Sequence, residues 1–141
     1  MCDINGHMNV AYYYHVFEAA VRELWKSLGF DSEYCNRTGM NLEITEGHIQ
    51  FIAEAHLGET LHVDSEIFVV EPRGMLVGQQ LFRGDMLLCR FGQWNVSIEA
   101  KSGEAVRLED TILENGRSAC VSNDTPTPDW IVRKVNMSKS N

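Results

Sequence analysis

Apolar residues near the start of the chain fall at Val10, Tyr14, Phe17, Val21, Leu24, Trp25 and Leu28. Steps of mostly four and three residues put them on one stripe of an α-helix, so an amphipathic helix is expected over residues 10–28. Asn9 suits an N-cap, and Gly29 suits a C-terminal stop. Glu18, Arg22, Glu23 and Lys26 then occupy the outer face.

After a loop expected around residues 31–39, the period changes to two. Leu61, Val63, Ile67 and Val69 alternate with His62, Asp64 and Glu66. Trp94, Val96, Ile98 and Ala100 alternate with Asn95, Ser97 and Glu99. Both patterns predict strands with one apolar and one polar face. Residues 42–55, 75–82 and 86–91 are further strand segments, and turn residues punctuate 56–60, 72–74, 83–85 and 101–103. Short connections imply an antiparallel meander of four or five strands. A lone helix must bury its stripe against the available sheet. The expected fold class is α+β, an antiparallel sheet wrapped around one long central helix, spanning residues 1–122. A polar C-terminal tail is expected over 123–141, where Trp130, Ile131 and Val132 could dock.

Composition narrows the function classes. A chain of 141 residues, 44% hydrophobic and 23% charged, fits one globular domain. Its formal net charge of -8 opposes nucleic-acid backbones, so no nucleic-acid partner is expected. Cys2, Cys35, Cys89 and Cys120 form no CxxC pair or zinc-like spacing, and no metal site is expected. They read as reduced thiols of a cytoplasmic protein. Residues 1–9 lack the apolar core of a signal peptide, and no apolar run is long enough for a membrane helix, so no membrane partner is expected.

The densest polar cluster, Asp3, Asn5, Gly6, His7 and Asn9, immediately precedes the long helix. A helix N-terminus offers unpaired N–H groups and partial positive charge, suited to an oxyanion. Cleaving a thioester needs an activated water or carboxylate nucleophile and that stabilisation, but little help to the leaving thiolate. Asp3, Asn5 and His7 with the helix end have the right chemistry, and Gly6 permits close approach of backbone to substrate. The same residue types also serve as ordinary caps and turns.

The string Asp3-x-Asn5-Gly6-His7-Met8-Asn9, followed by Tyr12, Tyr13 and Tyr14, resembles the hotdog-fold thioesterases. These include the 4-hydroxybenzoyl-CoA-type, plant acyl-ACP and carnitine and betaine thioesterases. The resemblance covers roughly residues 2–107 in element order, with the N-terminal motif as its specific part. It implies catalytic roles for Asp3, Asn5 and His7: Asp3 as nucleophile or general base, the other two positioning water or polarising the carbonyl. A segment resembling Phe51-Ile52-Ala53-Glu54-Ala55 implies Glu54 as a second catalytic carboxylate. Gly6, Asn9 and Tyr13 are the implied substrate-binding residues. The implied substrate is an acyl-CoA or similar acyl thioester, with no cofactor beyond the CoA it carries, and the implied assembly is a homodimer or homotetramer. Relatives usually place a strand before the Asp motif, whereas here only Met1 and Cys2 precede Asp3. Alternative readings are a non-catalytic acyl-thioester-binding module and a hotdog enoyl-CoA hydratase, although the hydratase Pro and longer Asp-to-His spacing are missing here.

Overall fold

The structure, a computed structural model, describes residues 9–56, 58–121 and 124–132. The long helix, α1 (Val10–Ser27), begins at Asn9, whose side chain accepts the Tyr12 N–H at 3.0 Å. Its buried face is Tyr13, Phe17, Val21 and Trp25, whereas Val10 and Tyr14 are 56% and 45% exposed. The expected stripe is therefore displaced by one residue at its start. Periodicity could not choose among Tyr12, Tyr13 and Tyr14; packing does, because Tyr13 continues the line of Phe17 and Val21 onto the sheet. Burying each such side chain contributes about 1.5–3 kcal/mol.

The expected loop contains a short helix, α2 (Ser32–Thr38). Asp31 caps its start by accepting the Tyr34 N–H at 2.9 Å, and Gly39 ends it at φ 72°, where a side chain would be strained.

Four strands follow: β1 (Met40–Phe51), β2 (His62–Glu71), β3 (Gly74–Arg83) and β4 (Met86–Glu99). The segments expected at 86–91 and 94–100 are one continuous strand. The sheet is antiparallel with order β1-β4-β3-β2. Only β2, β3 and β4 form a meander, and β1 pairs with β4 instead of β2. The longer 52–61 connection carries the chain away from β1 before β2 begins, where a tight turn would have forced adjacency.

Both faces of the sheet centre are covered, and this reverses the expected polarity of β4. Asn95 and Ser97, read from sequence as its polar outer side, are buried. Asn95 Nδ2 donates to Gln93 Oε1 at 2.9 Å, Gln93 Nε2 donates to Gln79 Oε1, and Gln79 Nε2 reaches the Phe17 carbonyl and Ser65 Oγ, both at 3.0 Å. This amide chain runs beneath α1 and gives Gln79, Gln93 and Asn95 their partners, whereas the buried Ser97 hydroxyl finds none among the described residues. Trp94 lies on the other face, packed with Leu76 and Ile131.

Two further helices complete the fold. The first, α3 (Asp110–Ala119), buries Ile112, Leu113 and Gly116, and Asn115 Nδ2 donates to the Leu28 carbonyl at 2.7 Å. Its apolar stripe is too short to signal a helix in the sequence. In the C-terminal segment, α4 (Asp129–Val132) docks on the face opposite α1. Gly78 lies across from Gly92 in the β3–β4 ladder. A Cβ at Gly92 would stand 2.9 Å from Ile131 Cα, and one at Gly78 would stand 2.5 Å from Ile131 Cδ1. The paired glycines thus leave the hollow that Ile131, fully buried, fills. No helix among the described residues is long and apolar enough to cross a membrane.

Candidate active site

Asp3, Asn5, Gly6 and His7 lie outside the described residues. The described part of the site starts at Asn9 and the first turn of α1, which contains no acidic residue to offset its partial positive charge. One turn in, Tyr13 is 5% exposed and makes an edge-on contact with Phe51, with ring centroids 5.2 Å apart. Its phenol oxygen accepts the Ala55 N–H at 3.3 Å. Burial, above all, pushes the phenol pKa above its usual value, with Glu54 and Glu59 adding in the same direction. Tyr13 therefore stays protonated and can still donate one hydrogen bond.

The Tyr13–Ala55 bond fastens the start of α1 to the chain leaving β1. That chain is held by other groups as well. Ile52 and Ala53 both donate to the Leu88 carbonyl, at 2.9 and 3.0 Å. Arg83 Nη1 donates to the Glu54 carbonyl at 3.3 Å and pairs with Glu59 Oε2 at 2.6 Å. Glu59 Oε1 also accepts the His56 N–H. That bond, foremost, and Arg83 hold the Glu59 carboxyl below its ordinary range. Gly58, at φ 86°, permits the turn that brings Glu59 back over His56.

The Glu54 carboxylate is 66% exposed, with Oε2 3.8 Å from His56 Nε2. It stands on a braced segment at the same end of the molecule as the α1 N-terminus. Of the residues anticipated from sequence, Tyr13 and Glu54 are thus brought near each other, and Asn9 lies one turn before Tyr13 at the start of α1. Glu59 and Arg83, which brace Glu54, were not anticipated in that role. Their only sequence signal is a Gly-Glu pair after His56 and an arginine ending a strand. Among the described residues, no group of three or more His, Cys, Asp or Glu side chains is placed to hold a metal ion. A groove of about 1140 Å³ runs between α1, α2 and β1, with Tyr14, Trp25, Phe30, Ile44 and Asn95 in its lining.

An antiparallel sheet wrapped around one long helix, with polar chemistry at the helix start, defines the hotdog class. Among solved structures it is similar to hypothetical protein SAV2348 from Staphylococcus aureus, determined in complex with CoA: TM-score 0.80, 17% identity, covering 91% of this chain and 82% of that one. A profile of the thioesterase-like superfamily matches residues 1–116, and the chain belongs to that superfamily. It is 27% identical over 86 residues to L-carnitine dehydrogenase/betainyl-CoA thioesterase of Ruegeria pomeroyi, covering 61% of this chain and 18% of that protein. It is 32% identical over 65 residues to betainyl-CoA thioesterase of Pseudomonas aeruginosa, covering 46% of this chain and 41% of that protein. The matched stretch thus spans less than half the length of either relative.

Proposed function

We propose that the chain hydrolyses an acyl-CoA thioester to the free acid and the thiol. The observation that carries this reading is the Tyr13–Ala55 hydrogen bond, which ties Glu54 to the N-terminal end of α1. A carboxylate and a helix N-terminus are the two components thioester hydrolysis requires. Superfamily membership and two thioesterase relatives support the same reaction. The CoA complex of a similar fold supports CoA as the leaving group.

In the proposed mechanism, the thioester carbonyl oxygen sits at the α1 N-terminus. Asp3 acts as general base, or as nucleophile, with Asn5 and His7 positioning water or polarising the carbonyl. Glu54 is the second carboxylate and orients water. In the base route, water adds to the carbonyl carbon as its proton passes to the carboxylate. The tetrahedral intermediate then collapses with cleavage of the C–S bond, and that proton goes to the departing thiolate. The acid and thiol are the products, and water is the only co-reactant.

The betainyl-CoA relatives make a small cationic acyl group the first to try. A homodimer or homotetramer is part of the proposal: among the described residues β1 is an edge strand beside the open groove, and such an edge favours pairing with a second copy. Three described cysteines carry free thiols, in keeping with a reducing, cytoplasmic setting.

The test is thiol release from betainyl, short-chain, long-chain and aromatic acyl-CoAs, comparing wild type with Asp3→Asn and Glu54→Gln. Turnover that is abolished by Asp3→Asn and reduced by Glu54→Gln, with both variants folded, is the expected result. A folded wild type that binds acyl-CoA and releases no thiol from any of them would overturn the reading in favour of a binding module.

A further inference from the structure

Arg90 lies on the face of β4 opposite α1. Its neighbours along the strand, Cys89 and Phe91, point inward among Tyr13 and Phe17. Arg90 Nε donates to Gln50 Oε1 at 2.7 Å, and Arg90 Cζ lies 5.3 Å from the centroid of the Trp130 ring. Among the described residues, Arg22, Arg37, Arg83 and Arg107 each pair with a carboxylate. Arg90, like Arg73 and Arg117, does not, in a chain of formal net charge -8. Its guanidinium is held from two sides, by an amide and an indole, with no protein acceptor among the described residues for its Nη groups. Trp130 is itself fixed, because Ile131 beside it is seated in the hollow over Gly78 and Gly92. A preorganised arginine with free donors, next to a half-buried aromatic face, suits a phosphate attached to a flat base.

The location fits as well. Gln50 pairs with Arg90 in the ladder, and Glu54 follows four residues later. β1 ends at Phe51; even fully extended, the four residues from Gln50 to Glu54 span at most about 14 Å, so an extended pantetheine arm passing around the end of β1 can join the two.

We propose that Arg90, Trp130 and Gln50 form the subsite for the nucleotide end of the substrate. The Trp130 ring flanks the adenine, and the Arg90 Nη groups hold a phosphate. This inference rests on the thioester-hydrolysis reading, and it selects a CoA thioester over a carrier-protein thioester, whose phosphopantetheine carries no nucleotide.

The test has two arms. In the first, calorimetry measures binding of CoA and of 3′,5′-ADP to the full chain. Arg90→Gln and Trp130→Leu are each expected to weaken both about tenfold or more, the scale of losing one charged hydrogen bond or stacking contact. In the second, kcat/KM is compared for an acyl-CoA and the matching acyl-pantetheine. Arg90→Gln is expected to lower the former about tenfold more than the latter. A merely structural role would lower both alike. Failure of 3′,5′-ADP to bind wild type, or equal losses on both substrates, overturns the subsite. Arg90-dependent binding of 3′,5′-ADP without any thioester hydrolysis upholds the subsite and sinks the hydrolysis reading instead.

Discussion

The phenol oxygen of Tyr13 accepts the backbone N–H of Ala55, joining the first turn of the central helix to the segment that follows β1. Two parts of the candidate site, distant in sequence, are held in register by this bond. Tyr13→Phe keeps the ring and its contact with Phe51 but removes the acceptor. We expect it to cost about 1 kcal/mol in urea unfolding, and more if the Ala55 N–H is left unpaired. We expect kcat on the best thioester to fall about tenfold, because the carboxylate loses its registration with the helix end. Unchanged turnover in a folded Tyr13→Phe protein would remove this bond from the catalytic account.

Glu59 makes the stability depend on acid. Its carboxyl is held below the ordinary value by the His56 N–H and by Arg83, so the ionised form is favoured in the folded state. This contribution is present in full above the unfolded-state carboxyl value. It is lost as pH falls from there through the lower folded value. The Tm difference between wild type and Glu59→Gln should therefore be largest near neutral pH and shrink in acid. A difference that stays constant down to strongly acidic pH would contradict the brace.

The amide chain beneath α1 offers a third check. Gln79→Leu removes both the partner of Gln93 Nε2 and a donor to the Phe17 carbonyl. We expect a loss of about 1–3 kcal/mol, the usual cost of leaving a buried polar group unsatisfied. Replacing Gln79 and Gln93 together by leucines should cost less than the sum of the single changes, since fewer amides are stranded. A double-mutant cycle in urea measures the difference.

Gly92→Ala tests how tightly α4 is seated. The added methyl would meet Ile131 main chain at 2.9 Å, which cannot rotate aside as a side chain could. We expect a loss of about 1–3 kcal/mol from overpacking and faster protease cleavage of the C-terminal segment. A variant as stable and as protected as wild type would mean that α4 docks more loosely than its geometry indicates.

The central helix and most strands were legible because their apolar periods are long and nearly unbroken. The exceptions have physical causes. Three consecutive tyrosines satisfy a helical stripe in more than one phase, and only contact with the sheet selects Tyr13. The alternation of residues 94–100 correctly announced a strand, but not which side faces α1. Gln93, itself held by Gln79, accepts from Asn95 on the inner face, while α4 covers Trp94 on the other. A local pattern carries no record of such distant partners. The same limit hid the departure of β1 from the meander and the bracing of Glu54 by Arg83 and Glu59. Glu54 itself could be singled out only through the resemblance of its surrounding segment. The motif at Asp3, the clearest chemical signal in the sequence, lies outside the described residues.

The pairing of β1 with β4 orders events during synthesis. Met40 finds its ladder partner only at Glu99, and the whole β2–β3 hairpin is made in between. As the chain leaves the ribosome, β1 must wait with an open edge until β4 has emerged, while β2 and β3 can already close on each other. Until then α1 has no complete sheet to lie on. The last strand of the sheet to be translated is thus the one that licenses the first helix to settle, and a chain stalled before Met86, where β4 begins, would expose both.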